Sequence, residues 1–327
     1  MWALLLVAGL TAAPRRARAV DDVLTPRAIA LGSALRASAI GGLGPVLNPA
    51  GMTLNKAYNI DISYGFRVQD AGSSLYLAIV DSVTSRVSAG AYYQFVHSSP
   101  RFVYGTDPRN NRISREGNEA GLSLALPIGD RFSFGVTTKY ITVTTDTPNP
   151  AYDPNVTNSP KRITLDSTTT QADAKGFTID AGLLVRLGES LNLGVVGYNF
   201  IPKRSIEAPI ALGTGLSYKV GQSFLLTADV VIDFNKYHTR PTIGPDDALI
   251  PGKRRTTVRF GGGAEYIIRK IVPLRFGALW DNGLPGVYVS GGTGYQGKRF
   301  GVDVSYRQKV SGGLESFIIG GLRVFLQ

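Results

Sequence analysis

The sequence predicts an all-β protein, a transmembrane antiparallel β-barrel of about fourteen strands, from three observations. First, polar and apolar residues alternate in fourteen runs of 9–13 residues. A tilted strand needs about 9–11 residues to cross a bilayer, whereas soluble strands most often have about 5–6. Second, every connection longer than six residues falls on the same side of the predicted sheet. Third, the number of runs is even. Outer-membrane barrels combine these features, with tight periplasmic turns opposite long external loops.

Residues 1–19 have the features of a signal peptide for export. Trp2–Ala13 is an apolar run, and Ala17-Arg18-Ala19 offers a small-residue cleavage site. Three arginines follow the apolar run instead of preceding it, so a short hydrophobic strand or helix is the alternative. The run is too short to cross a membrane as a helix, which needs about 20 residues.

The alternating runs continue from residue 57 to residue 326. In the first, Tyr58, Ile60 and Ile62 alternate with polar residues, the period-two pattern of a strand with one apolar face. In the seventh, Val195-Val196 predicts a register break or a bulge. The runs are 57–69, 73–82, 87–97, 119–127, 132–144, 176–187, 191–200, 210–219, 223–234, 256–267, 272–281, 286–295, 300–308 and 315–326. Aromatic residues near run ends predict interfacial girdles, and they are Tyr58, Phe132, Tyr218, Phe234, Trp280, Phe300 and Tyr306.

The polar face of the alternation predicts a charged lumen. In hydrocarbon every backbone group must be paired within the protein, so the sheet has to close and only its interior can be polar. We expect charges of mixed sign to pair there. The predicted lumen-facing charges are Asp61, Arg67, Lys139, Asp180, Arg186, Lys219, Asp229, Asp233, Arg259, Glu265, Arg275, Asp281, Asp303, Arg307 and Arg323.

The composition excludes several kinds of chemistry. Cysteine is absent, so there is no disulfide framework and no thiolate site. Neither His97 nor His238 has a predicted nucleophile and acid beside it, so we expect no enzyme. The Asp-rich stretches 106–111, 151–158 and 244–248 could supply oxygen ligands to calcium. They lack regular ligand spacing, so solvated turns are preferred, and no metal or cofactor is expected.

The charge balance of the mature chain is basic. Residues 20–327 carry 32 Lys and Arg against 24 Asp and Glu, a net charge of +8. An exported chain rarely meets nucleic acid, so the expected acidic partners are outer-membrane lipids and lipopolysaccharide. Lys161-Arg162 and residues 251–257 are basic clusters on the predicted external rim that could contact lipopolysaccharide phosphates. An ordinary solvated rim is the alternative.

The segment before the first strand carries a resemblance to a known family. Residues 26–54, "PRAIALGSALRASAIGGLGPVLNPAGMTL", combine a stretch of small residues with Asn48-Pro49-Ala50. This resembles the N-terminal signature of the FadL-like long-chain fatty-acid transporters and of their relatives, the PorV-type outer-membrane proteins of type IX secretion. Both groups have fourteen-stranded barrels in the outer membrane of Gram-negative bacteria.

The resemblance implies that residues 20–55 form a plug inside a barrel of residues 56–327. Asn48, Pro49, Ala50 and Gly51 would be its motif. The sequence itself agrees, because small residues allow backbone to pack closely and Pro49 fixes a turn. An ordinary periplasmic linker is the alternative, although linkers are seldom this apolar.

Two functions remain open from the sequence. One is passage of hydrophobic or amphiphilic small molecules across the outer membrane. It predicts inward-pointing apolar residues near the outer mouth, such as Tyr92, Val96, Leu184, Leu225 and Val231. The other is a PorV-like, non-conducting adaptor that holds a secreted or surface protein. The modest size and the charged lumen fit that alternative.

Overall fold

The computed structural model describes residues 25–68, 72–98, 114–151, 164–201, 208–221, 223–237, 242–243, 249–250, 254–283, 286–311 and 315–326. The predicted signal peptide, residues 20–24, His238, Lys161-Arg162 and most of the Asp-rich stretches lie outside these residues. In the described part of the chain, no helix has the length and hydrophobicity needed to cross a membrane.

Fourteen antiparallel strands close into a barrel, which confirms the predicted fold class. They are β1 (Tyr58–Arg67), β2 (Gly72–Asp81), β3 (Ser88–Ser98), β4 (Ser114–Ile128), β5 (Phe132–Ala151), β6 (Thr164–Leu187), β7 (Leu191–Tyr198), β8 (Ala211–Val220), β9 (Phe224–Tyr237), β12 (Arg254–Ile268), β13 (Val272–Asp281), β14 (Gly286–Gln296), β15 (Phe300–Lys309) and β16 (Ser316–Leu326). The short strands β10 (Thr242–Ile243) and β11 (Leu249–Ile250) pair separately in the connection between β9 and β12.

The barrel closes where the first strand pairs with the last. Tyr58 pairs with Leu326 at one end of this junction and Arg67 pairs with Phe317 at the other. Along β1 the outward Ile62, Tyr64 and Phe66 are exposed while the residues between them are buried or half-buried. An exposed apolar band on a closed sheet is the surface that a bilayer covers. Of the predicted girdle residues, Phe132, Tyr218, Phe234, Trp280, Phe300 and Tyr306 are exposed.

The connections alternate in length as predicted. The short ones are residues 82–87, 129–131, 188–190, 221–223, 269–271 and 297–299, all at one end of the barrel. At the other end several strands run longer than predicted, and β5 and β6 pair as far as Ala151 and Thr164. The added residues include many threonines and few apolar side chains, so no apolar alternation marked them.

The bulge predicted in β7 is absent. Val195 pairs with Leu183 and Val196 with Gly182 in an unbroken register. The double valine arises because Val196 is fully buried on the inner face, where a polar residue was expected. The lumen is therefore apolar at this point.

Residues 25–54 lie against the inner wall of the barrel. They contain the α-helices α1 (Pro26–Ala30) and α2 (Gly44–Leu47) and two 3₁₀ turns, Gly41–Leu43 and Pro49–Leu54. Thr25 caps α1, whose first residue is a proline that needs no hydrogen bond there. Nearly every residue from 25 to 53 is buried. Helices this short leave many backbone groups to be paired by the wall.

Glycines on the inner face let this segment approach the wall. A methyl group on Gly135 of β5 would lie 2.5 Å from the Ala50 nitrogen, and one on Gly263 of β12 would lie 2.7 Å from the Leu31 Cα. Both distances are shorter than a van der Waals contact. The inward glycines that meet residues 26–52 in this way are Gly90, Gly135, Gly182, Gly194, Gly213, Gly215, Gly261, Gly263, Gly277, Gly292 and Gly321.

The facing of the strands can be tested because the chain contains no cysteine. Val304 is exposed on β15, while the adjacent Ser305 is 2% exposed and donates to the Pro26 carbonyl at 2.7 Å. In the membrane-inserted protein, a lipid-soluble maleimide should label Val304→Cys and leave Ser305→Cys unmodified. Denatured protein, in which both cysteines react, is the control. The reverse labelling pattern would mean that inner and outer faces are exchanged.

Candidate functional site in the barrel lumen

A row of alternating charges links residues 25–54 to the inner wall. The Arg27 guanidinium donates two hydrogen bonds to Glu265 of β12, at 3.1 and 3.0 Å. Glu265 also accepts from Arg275 of β13 at 2.5 Å. Two arginines thus share one carboxylate. A two-point contact between guanidinium and carboxylate is directional as well as strong, so it fixes the position of α1.

The same row continues across three more strands. Arg275 donates to Asp303 of β15 at 2.6 Å, and Asp303 accepts from Arg323 of β16. Arg323 also pairs with Asp61 of β1 at 3.4 Å. Asp61 in turn accepts a hydrogen bond from the Gly42 backbone nitrogen at 2.9 Å. The row therefore begins and ends on the N-terminal segment.

Arg36 holds the middle of the segment against β9 and β7, on the part of the wall that adjoins β12. Its backbone nitrogen and its guanidinium both donate to Asp229 of β9, at 2.9 and 3.0 Å. Its Nε donates to the Tyr198 hydroxyl at 2.9 Å, and this hydroxyl donates to the Leu47 carbonyl at 2.5 Å. Burial alone lowers the pKa of Arg36, but attraction to Tyr198 and Asp229 outweighs it and raises that pKa. Arg36 consequently stays charged.

The predicted plug motif makes its contacts with β5 and β6. The Asn48 amide donates to the Arg36 carbonyl at 2.9 Å and to the Leu183 carbonyl at 3.3 Å, and its oxygen accepts from the Ala50 nitrogen. Asn48 thus caps the turn Pro49–Leu54 and joins it to the wall. Gly51 is buried against Ala39, so a side chain there would collide with the segment itself.

A third charged group lies on β4, β5 and β6. Lys139 pairs with Asp180 at 2.8 Å and with Glu119 at 3.7 Å. Glu119 also accepts a hydrogen bond from the Tyr92 hydroxyl. All four side chains are buried. Within the described residues, no cluster of three or more His, Cys, Asp or Glu could hold a metal ion.

Other predicted charges form pairs as well, whereas Lys219, which was expected in the lumen, is exposed at the short-turn end of β8. Arg259 pairs with Asp233 at 3.0 Å, and Arg307 pairs with Glu315 at 3.5 Å. Arg67 is half-buried on the same face of β1 as Asp61. Most pairs join neighbouring strands instead of spanning the interior. Sequence reasoning missed Arg27 and Arg36, and the signal was two arginines inside an otherwise apolar segment.

The lumen also has an apolar side between the segment and β2, β3 and β16. The rings of Tyr76 and Tyr92 stack with centroids 6.3 Å apart, and Tyr76 donates to the Gly42 carbonyl. The cluster extends toward the long-loop end of the barrel. We call it the apolar lining; its residues are Ile29, Val46, Tyr76, Ala78, Tyr92, Val96, Phe317 and Ile319.

Three of the apolar residues expected near the outer mouth are buried on the inner face: Tyr92, Val96 and Val231. Counted from the short turns, they lie near the middle of their strands or beyond it. Leu184 and Leu225 also point inward, but they lie near the short turns and not near the mouth. The alternation gave their facing correctly. Their expected position near the mouth was wrong, because in the runs 176–187 and 223–234 both residues already lie beside the short turns.

The pair of Arg36 and Asp229 provides a test of how the segment is held. Arg36→Met should strand a buried carboxylate and cost about 3–5 kcal/mol of the segment's attachment. We expect proteinase K to cleave residues 25–54 faster in this variant than in wild type. The double variant Arg36→Met/Asp229→Leu should recover much of the resistance. Equal protection of wild type and the single variant would show that the pair does not hold the segment.

Comparison with known proteins identifies the fold. No known sequence family matches the chain, and no curated protein matches it in sequence. Among solved structures, the toluene transporter TbuX of Ralstonia pickettii aligns with a TM-score of 0.68 at 14% identity, over 92% of this chain and 98% of that one. The Pseudomonas putida toluene transporter TodX gives 0.63 at 12%, over 91% and 96%.

A FadL homologue of Pseudomonas aeruginosa aligns with a TM-score of 0.66 at 12% identity, over 94% of this chain and 99% of that one. The likeness extends over almost the whole of each chain, although sequence identity is low. These structures are transporters or a transporter homologue, and none gives support to the secretion-adaptor alternative. The chain has the FadL-like outer-membrane β-barrel fold.

Proposed function

We propose that this chain is an outer-membrane channel of a Gram-negative bacterium for hydrophobic or amphiphilic small molecules. The observation that carries the proposal is the apolar lining. A barrel that passes water-soluble solutes has a polar interior, whereas here Tyr76, Tyr92 and Phe317 turn aromatic surface inward. Apolar ligands bind in pockets of this composition. TbuX and TodX are named as toluene transporters, so small aromatic hydrocarbons are the first candidates.

The charges of the lumen favour an uncharged ligand over an anionic one. Arg27, Arg275 and Lys139 are buried, and each already faces a carboxylate. An anionic head group could gain such a cation only by displacing an internal acid, which would leave a buried charge unpaired. A hydrocarbon carries no charge, so it can bind without displacing an internal acid. We infer that ligands enter along the apolar lining without touching the charged rows.

In this proposal residues 20–55 act as the plug. Its links to the wall are a few ion pairs and hydrogen bonds, notably Arg36 with Asp229 and Asn48 with Leu183. Such links are strong when made but sensitive to small displacements. A ligand that enters the apolar lining, between Ile29 and Val46 of the plug and the side chains of the wall, would shift the plug. The adaptor alternative has no corresponding observation among the described residues.

The first test measures passage and plug movement together. Thr53 donates to the Ser133 hydroxyl of β5 at 2.7 Å, so Thr53→Cys/Ser133→Cys should form a disulfide in this cysteine-free chain. In Gram-negative cells, whose lipopolysaccharide leaflet resists hydrophobic solutes, wild type should speed uptake of labelled toluene more than of labelled octanoate. The oxidised double variant should be slower, and reductant should restore it. Equal uptake in cells with and without the protein would contradict the proposal.

The second test concerns the plug motif. Asn48→Leu removes the hydrogen bonds to the Arg36 and Leu183 carbonyls and the one from the Ala50 nitrogen, and it places an apolar side chain against Gly182. We expect a folded barrel that leaks small sugars in liposome swelling, because the motif no longer seals β5 and β6. Asn55→Ala, at the exposed asparagine that ends the plug, is the matched control and should stay tight. A tight Asn48→Leu barrel would mean that another part of the chain fills the lumen.

A further inference from the structure

Two hairpin turns at the short-turn end of the barrel end in basic residues. Arg269 and Lys270 form the tip between β12 and β13, and Lys298 and Arg299 form the tip between β14 and β15. All four side chains are exposed. We call these residues the basic tips.

The two tips are direct neighbours on the barrel edge. The Ile271 carbonyl of the first accepts a hydrogen bond from the Gln296 nitrogen, at the start of the second, at 2.7 Å. Exposed Lys219 and Lys56 lie further along the same edge, on either side. From β8 round to β1, the described residues of this edge include no exposed Asp or Glu. The basic tips therefore lie at the centre of an arc in which every exposed charged side chain described is positive.

The backbone of the first tip is one that its residues do not favour. The Ile271 nitrogen donates to the Ile268 carbonyl at 2.9 Å, so Arg269 and Lys270 are the central residues of a turn. Arg269 has φ 51° and Lys270 has φ 61°, and a type I′ turn needs positive φ at both of these positions. Asn-Gly is the usual choice for such a loop, because long side chains are disfavoured there. At three other short turns the left-handed position is held by a glycine: Gly129, Gly188 and Gly221. At this tip the chain carries two cations instead of turn-forming residues.

The position of the tips along the barrel indicates what they meet. Tyr266, Tyr295 and Phe300 are exposed on the lipid-facing side of the same hairpins, and the rings of Tyr295 and Phe300 are 5.5 Å apart. Exposed aromatic rings at strand ends mark the level of the lipid head groups. Turns of this length project little beyond that level. The cations are thus held beside head groups and away from any layer deeper in the periplasm.

We propose that the basic tips bind the phosphates of anionic phospholipids in the periplasmic leaflet. The proposal rests on the outer-membrane orientation given above, with the short turns in the periplasm, but not on transport. An arginine can grip phosphate oxygens with two hydrogen bonds, and a lysine adds a compact charge. Two adjacent tips place such groups side by side, which suits one head group or two neighbouring ones. Lipid bound there would anchor β12 to β15 in the leaflet.

Native mass spectrometry of the intact detergent-purified barrel tests this proposal. Wild type should retain phosphatidylglycerol over phosphatidylethanolamine by about fivefold or more, the order expected for even one basic residue near an anionic surface. The variant Arg269→Asn/Lys270→Gly/Lys298→Gln/Arg299→Gln should show little preference. Asn-Gly suits the turn, so this variant should melt no lower than wild type in detergent and should transport normally.

The matched control is Arg131→Gln, at a tip outside the arc and next to the acidic Asp130. It should keep the preference for phosphatidylglycerol. An unchanged preference in the four-residue variant, an equal loss in the control, or no preference in wild type would overturn the proposal. So would retention of anionic peptidoglycan fragments in place of the lipid, which would assign the tips to the cell wall. If wild type prefers phosphatidylglycerol but does not speed the uptake of toluene, that result would contradict the proposed channel and not the lipid proposal.

Discussion

The interior of this barrel depends on the close approach of two backbones, that of residues 25–54 and that of the wall. The two backbones can pack this closely only where one of them carries no side chain. On the wall this is the case at Gly135, Gly263 and similar positions. Short polar side chains beside them then complete the pairing. Ser217 donates to the Ala37 carbonyl and Ser305 to the Pro26 carbonyl. Backbone groups that short helices leave open are satisfied in this way.

Charge pairs and apolar contacts hold the segment in different ways. Apolar contacts stabilise without direction, so they alone would allow the segment to slide. A buried ion pair adds little net stability, because desolvation offsets much of the attraction, but it strongly penalises any arrangement that separates the partners. Arg27 and Arg36 have such partners at single places on the wall. They define where the segment sits, and the apolar lining and small residues fill the space around them.

Period-two alternation and the segregation of loop length allowed the fold and the strand number to be predicted. Both follow from the bilayer, which imposes one apolar face and one crossing length on every strand. The sequence could not show where β5 and β6 end beyond the membrane, because that constraint no longer acts there. It also hid the partners of Arg27, since pairing across 238 residues depends on closure. Val196 was misinterpreted for a related reason, because the lumen is apolar where a polar one was assumed.

The recurring glycines on the polar face of the strands also indicate what fills the lumen. A lumen filled only with water has no need of missing side chains at Gly194 and Gly213, whereas a lumen filled with backbone does. The content of the lumen was therefore partly encoded in the strands as well as in the segment.

The pairing of β1 with β16 also completes the set of contacts between the segment and the wall. Arg36 and Asp229 are 193 residues apart in sequence, and α1 contacts β13 to β16. Contacts between such distant residues form slowly, because a large loop must close first. The segment contacts strands on both sides of the junction, since α1 meets β16 and the turn Gly41–Leu43 meets β1. Its full set of contacts with the wall therefore exists only once β1 and β16 are paired.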